Sequence, residues 1–441
     1  LQDGTVAPNP FNGILNPQPG QPVDWARFRP ILLFGQFQPD MRSQYAVQYN
    51  LTIQRELTPN LLFQIGYVGS QGHRLLATHD LNFGIAETCL DLQNISDLTD
   101  NADLACGPFF ADSAFFIPAN SIPAGVTLRL PYGSVPSVTG PTHPAITLVG
   151  LRPFSSPLCR PTTGAGCPPD GVPVFSSVFA QDTIANSSYN SFQASVNKRF
   201  SKGLQFLAAY TWSKSFDQAS SFENLINPFN PSLSRSLSLF DARHRLVFSY
   251  LWELPFARWL GKTEGLAGKL LDGWSVSGIT SFQTGFPIRI TSEDDLELQS
   301  SFDFELPGQP DLVAPFRIQD PRRSGCAPGT GPSSGTPVPC DPVANQFFDP
   351  NSIAPQAPGT IGNASRTICC GPGINNFDIA VLKETKLTER TGLQFRAEFF
   401  NVVNHAQFVN PDGSITSGSD FGRVKRARDP RLIQFALKFF F

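Results

Sequence analysis

Residues 431–441, RLIQFALKFFF, decide how this chain is read. Taken in steps of two, Ile433, Phe435, Leu437, Phe439 and Phe441 form a wholly apolar row. Leu432, Gln434, Ala436, Lys438 and Phe440 form a mixed one. A two-residue period of this kind belongs to a strand with two unlike faces. A soluble sheet buries its apolar row; a membrane strand turns that row to lipid.

The rest of the chain chooses between these. It has 441 residues, enough for two or three ordinary domains or one large barrel. Charged residues are only 16% and the formal net charge is -3, so no basic field points to nucleic acid. The 40 Pro and 36 Gly are too many for a helical protein. No run of about 18 apolar residues occurs, so no transmembrane helix is expected.

The terminal pattern recurs. SQYAVQYNLTIQREL places Tyr45, Val47, Tyr49, Leu51 and Ile53 on one face, and LLFQIGYVG follows after a turn at 58–60. SFQASVNKRF, LQFLAAYTW, RLVFSYLWEL, WSVSGITSFQ, NFDIAVLKE and LQFRAEFF alternate likewise. With the last segment these make nine strands, long enough to cross a bilayer at the roughly 9–11 residues a tilted strand needs. Short connections (58–60, 201–203, 386–389) alternate with long ones (74–188, 215–242, 292–374, 404–430), and 255–273 is intermediate. Tight periplasmic turns and long external loops give this alternation in outer-membrane barrels. The C-terminus then lies at the periplasmic rim. Charges in the lipid row of the inward-running strands, Arg55, Lys198 and Lys383, fall near that rim, where basic side chains can snorkel. Phe200, Trp252, Trp274, Phe439 and Phe441 mark a lower aromatic belt; Tyr45, Tyr67, Tyr210 and Trp212 mark an upper one. Helix is expected to be negligible.

NSSYNSFQASVNKRFSKGLQFLAAYTWSKSFD, FDARHRLVFSYLWELPF, GWSVSGITSFQTGFPI, GPGINNFDIAVLKETKLTERTGLQFRAEFFNVVNHAQF and FGRVKRARDPRLIQFALKFFF resemble the C-terminal half of TonB-dependent outer-membrane receptors of the Oar-like kind. The resemblance covers roughly 41–441 and is most specific in the last 260 residues. It implies a 22-stranded barrel, and in the full-length protein a plug domain and TonB as partners. Neither plug nor TonB-contact box is found in the sequence, which puts transport by this chain alone in doubt. The expected fold class is therefore all-β: a transmembrane antiparallel β-barrel, partial, with about 9–10 of those 22 spanning strands and long extracellular loops. Residues 1–42 read as an incoming loop with a candidate partial strand at 31–37, and 43–441 as the C-terminal part of the barrel. Leu1 in place of Met reads as a piece of a longer chain. The expected place is the cell outer membrane, with its lipid as one partner. Phe441, with Phe439, Leu437 and Phe435, resembles the C-terminal signal read by the barrel-assembly machinery.

The other row supplies the candidate site. Arg199, Gln205, Glu253, Gln394, Arg396, Glu398 and Lys438 would line the lumen, touching a plug and a ligand whose identity the sequence leaves unknown. Simple solvation and cross-strand pairing is the plainer reading of the same residues. Eight cysteines fall within predicted external loops: Cys89 with Cys106, Cys159 with Cys167, Cys326 with Cys340, and adjacent Cys369 and Cys370. That spacing suits local disulfides in an oxidising compartment, although Cys369 and Cys370 are open to each other or to distant partners. The segment SEDDLELQ, 292–299, reads as a solvated acidic loop, with a cation site as the alternative. LGKT at 260–263 lacks the first glycine of a phosphate loop. No cysteine–histidine spacing suits a metal, no cofactor is indicated, and no catalytic triad or carboxylate pair can be argued, so no enzymatic activity is expected. Two functions stay open: a TonB-dependent receptor or transporter barrel taking part in ligand capture and passage, or a structural or adhesive barrel anchoring surface loops, with a passive porin as a variant.

Overall fold

The structure, a computed structural model, describes residues 29–30, 34–131, 136–155, 171–221, 225–227, 230–261, 265–300, 308–321 and 346–441. Nine long strands form one sheet in chain order: β1 Tyr45–Thr58, β2 Leu61–Asp80, β3 Val178–Ser201, β4 Leu204–Asp217, β5 His244–Leu254, β6 Trp274–Gln283, β7 Ile374–Lys386, β8 Gly392–Phe400 and β9 Leu432–Phe440. Each pairs antiparallel with the next. Among the described residues, the outer strands β1 and β9 do not pair with each other, so the sheet is open rather than closed.

The registers join the alternating rows into two continuous faces. Trp252 stands opposite Leu204 and Val276, Val276 opposite Val381, Val381 opposite Ala397, and Ala397 opposite Phe435. On the other side, Ile53 meets Ile65, Ile65 meets Ala194, and Ala194 meets Tyr210. One face of the ladder is thus apolar from edge to edge. Its large side chains are not packed into a core: Phe435 and Leu437 are each 68% exposed and Leu51 66%. The buried apolar clusters lie in the long connections instead. One gathers Leu92, Ile95, Leu128 and Leu148; another gathers Ile290, Phe348, Ile353 and Phe421. These connections form a packed layer at one end of the sheet, while short turns close the other.

Within the candidate partial strand at 31–37, Phe34–Phe37 forms a short strand that pairs parallel with the start of β3, opposite Val178–Gln181. Residues 31–33 lie outside the described set. Two expectations are corrected. The first long connection is shorter than its pattern suggests, because β2 and β3 continue past the alternating stretch. Their ladder shifts register between Gly72 and Leu75 and again before Ala77, with Arg74 at φ 56. Each bulge exchanges the faces and hides the period. Helix is also present: α1, Ala86–Thr99, turns Cys89, Leu92 and Ile95 into the first cluster. That three-residue apolar spacing is the helical signal inside a segment otherwise read as loop. Two short helices, α2 Phe256–Trp259 and α3 Gly265–Leu271, occupy the connection between β5 and β6. No helix among the described residues is long and apolar enough to cross a membrane.

Candidate functional site

Strand period and register place the polar row on the face opposite the apolar one. Gln205 stands opposite Leu251, Glu253 opposite Ser275, Gln394 opposite both Glu384 and Lys438, and Glu398 opposite Gln434. The structure brings four of the seven candidates together on β8 and β9: Gln394, Arg396, Glu398 and Lys438. Arg396 Nη1 lies 3.3 Å from Glu398 Oε1, and Gln434 Nε2 donates to Glu398 Oε2. Arg396 is 44% exposed, so this ion pair contributes at most about 1 kcal/mol. Glu253 and Gln394 line a cavity of about 700 Å³ at the short-turn end, with Lys202, Arg258, Asp272 and Glu384. Arg199 and Gln205 are exposed; the Arg199 backbone N–H donates to Asn60 O at 2.8 Å. On the apolar face the last strand carries Phe435 stacked on Phe395, ring centroids 6.2 Å apart, and Leu437 stands opposite Phe395. Phe439 and Phe441 lie 6.2 Å apart.

The loop layer contains a second group of polar residues that sequence reading passed over. Arg152 has a fully buried side chain whose Nε donates to Asp112 Oδ1 at 2.8 Å, and whose Nη1 reaches Asp80 Oδ2 at 3.4 Å, Asn82 O at 2.9 Å and Ser177 Oγ at 3.0 Å. Asp80 ends β2 and Ser177 precedes β3, so this arginine fastens the loop to the top of the sheet. Arg366 does the same from another connection, pairing with Asp217 at the end of β4 and donating to Ser234 O at 3.1 Å. No local pattern marks either arginine, since the partners lie 25 to 149 residues away.

The acidic segment is solvated only in part: Glu293 is exposed and Asp294 half-buried, but Asp295 and Glu297 are buried. Asp295 is 5% exposed and accepts amide N–H groups from Phe109, Gln299 and Ser300 at 2.8, 3.0 and 3.0 Å. Glu297, 4% exposed, accepts from Gln309 N and Gln356 Nε2, both at 2.8 Å. Burial raises both carboxyls, Asp295 to about 6 and Glu297 to about 7; Asp295 and Asp294 push Glu297 the same way. Glu297 lines a small cavity of about 50 Å³ with Gln299, Arg289 and Arg366. Burial, and then the neighbouring Arg366, pulls the Arg289 guanidinium down. Arg289 also borders a larger cavity of about 460 Å³ with Phe286, Phe408, Asn410 and Arg428. No group of three His, Cys, Asp or Glu among the described residues is placed to hold a metal ion. Asp303 and Glu305, the acids that follow this segment in the sequence and extend its candidate cation site, lie outside the described residues.

Cys89 on α1 lies beside Cys106, with Cα atoms 5.3 Å apart, within disulfide reach, and Cys369 lies beside Cys370. Cys159, Cys167, Cys326 and Cys340 lie outside the described residues. Peptide mapping without reductant, on protein taken from the membrane, is expected to recover Cys89 and Cys106 in one linked fragment. Free thiols there would remove the covalent tie from the loop layer. In the chain-entropy account a loop of this size contributes roughly 3 kcal/mol.

A ladder with one edge-to-edge apolar face, short turns at one end and a built loop layer at the other is the architecture of a membrane-spanning β-sheet protein. A family profile described as "Outer membrane beta barrel domain" matches residues 2–434, and the chain belongs to that family. It is a protein of the outer membrane. No curated protein sequence matches it. Solved structures with a related arrangement include the outer membrane transporter YddB from Escherichia coli, at 7% identity and TM-score 0.38, covering 92% of this chain and 34% of that one. FpvA of P. aeruginosa bound to heterologous pyoverdines is 10% identical, TM-score 0.27, covering 91% and 31%. The ferric citrate transporter FecA is 7% identical, TM-score 0.29, covering 89% and 38%. The chain spans about a third of the length of these proteins.

Proposed function

We propose that this chain is barrel wall and external loops of a TonB-dependent outer-membrane receptor, taking part in ligand capture and passage, with no catalytic step. The observation that carries the reading is the loop layer. The connections are tied to one another and to the strand tops by buried ion pairs, which makes a fixed surface rather than loose tethers. The sequence segments that resemble Oar-like receptors support the same reading. Lys438, Arg396, Glu398, Gln394, Glu253, Gln205 and Arg199 would then face the lumen, where a plug would sit in the intact receptor. Sequencing the coding region around the gene, and measuring binding of its intact product to the TonB C-terminal domain, tests the proposal. A plug domain and saturable binding are expected. Absence of both would favour an adhesive anchor or a passive pore.

The open edges predict behaviour in isolation. Unpaired backbone groups in lipid cost several kcal/mol each. Reconstituted by itself in a planar bilayer, the 441-residue chain is expected to give no uniform single-channel conductance. A steady unit conductance would show that nine strands close alone. We also propose that the row Phe435, Leu437, Phe439 and Phe441 is read by the barrel-assembly machinery. Deleting Phe441 is expected to leave more chain unassembled in the periplasm, measured as protease-sensitive protein. Equal assembly with and without it would remove the signal role.

A further inference from the structure

The connection between β5 and β6 is the longest at the short-turn end, and its two helices do not hang free. Trp252, in the apolar row of β5, meets Trp259 of α2 edge-on, with ring centroids 6.0 Å apart; Phe256 meets Trp259 at 5.8 Å. Trp274 opens β6 in the same apolar row and donates its Nε1–H to Leu270 O of α3 at 2.8 Å. Lys383, opposite Trp274 on β7, donates from Nζ to Lys269 O at 2.9 Å and to Asp272 O, and lies 5.9 Å from the Trp274 ring. Three anchors from the apolar sheet face therefore hold α2 and α3. Arg258 borders the cavity on the polar side, so α2 straddles the rim. Outward the helices present large apolar groups, Trp259 58% exposed, Leu260 60% and Leu270 62%, with the exposed cations Arg258 and Lys269 beside them.

A free periplasmic turn gains nothing from three large apolar groups in water; burying such a side chain stabilises by about 1.5–3 kcal/mol. Tryptophan favours the membrane–water boundary, where an apolar ring and a polar N–H both find partners. A helix lying in that boundary buries one face beneath the head groups. We infer that α2 and α3 form a foot resting in the periplasmic leaflet of the outer membrane, with Trp259, Leu260 and Leu270 in contact with phospholipid. The occupant follows from continuity: the foot is pinned to Trp252, Trp274 and Lys383 of the face that meets lipid. The inference rests on that assignment of the apolar face.

Photo-crosslinking in cells separates the two. p-Benzoylphenylalanine is placed at 260 or at 270, in the numbering of this chain, in the intact gene product, produced in a Gram-negative outer membrane. Both positions are exposed, so the replacement displaces no packed neighbour. Position 206, in the apolar row, and position 207, in the polar row, serve as references. Phospholipid adducts are expected at 260 and 270 as strongly as at 206, with a loss of adduct at 207. Adducts to a periplasmic protein, or none, at 260 and 270 while 206 labels lipid would overturn the foot and leave the sheet assignment standing. No lipid adduct at 206 would overturn both.

Discussion

Replacing Arg152 with leucine is expected to open the loop layer while leaving the nine-strand ladder paired. Its guanidinium is fully buried between Asp80 and Asp112, whose side chains are 6% and 14% exposed. Removing the cation leaves two carboxylates with little water to replace it. Breaking a buried pair from one side costs about 3–5 kcal/mol. The amides that seal this loop are Ile85 N to Leu151 O at 2.9 Å and Leu151 N to Ala111 O at 2.7 Å. Hydrogen exchange at Ile85 and Leu151 should therefore quicken by roughly two to four powers of ten. Arg129→Leu is the contrast. Arg129 pairs with Asp91 at 2.8 Å but is 52% exposed, and its loss should cost under about 1 kcal/mol. Equal exchange in the two variants would show that burial of Arg152 contributes nothing special.

The second large effect is a dependence on pH. Asp295 and Glu297 are held above their ordinary values of 3.8 and 4.5, at about 6 and about 7. The folded layer therefore binds protons that the unfolded chain has already released. Stability is complete below pH 4, falls as pH rises through 6 and 7, and is flat above. At about 1.4 kcal/mol for each pH unit, each carboxyl removes about 3 kcal/mol across its window. The charged groups facing the pair are Arg152 toward Asp295, Asp294 toward Glu297, and Arg289 and Arg366 across the small cavity. Gly84 N donates to Gln299 O and Gly359 N to Leu296 O, so the segment joins two connections. Exchange at Gly84 and Gly359 should be slower at pH 5 than at pH 8 after correction for intrinsic rate. Glu297→Gln keeps an acceptor for Gln309 N and should remove the fall near pH 7, leaving the shallower one that Asp295 causes up to about pH 6. A profile unchanged in that variant would place the proton elsewhere.

The strands were legible because a strand's two faces are written at a spacing of two, within one segment. Tyr49, Phe192, Trp252 and Phe435 could each be assigned to the apolar row without knowing what stood beside them. The residues of the loop layer could not. Asp295 reads as one of several solvated acids, since the amide of Phe109 that it accepts lies 186 residues away. Arg152 reads as an ordinary loop arginine until Asp80, Asp112 and Ser177 converge on it. Helix α1 did carry a signal, Cys89, Leu92 and Ile95, but a short amphipathic stretch is easily lost among prolines and glycines. The upper parts of β2 and β3 were hidden by the shifts near Leu75, which exchange the faces mid-strand.

By itself, then, the sequence determined the number of long strands, their order of short and long connections, and the face of each that is apolar. Those properties follow from backbone geometry repeated along one segment, where neighbours in space are neighbours in sequence. Only the tertiary structure decided that Phe34–Phe37 lies parallel to β3, that α2 and α3 fold against the Trp252–Trp274 rim, and that Arg152, Arg366, Asp295 and Glu297 are buried. Burial of a charge depends on where distant connections cross, and no period within any one of them records that crossing.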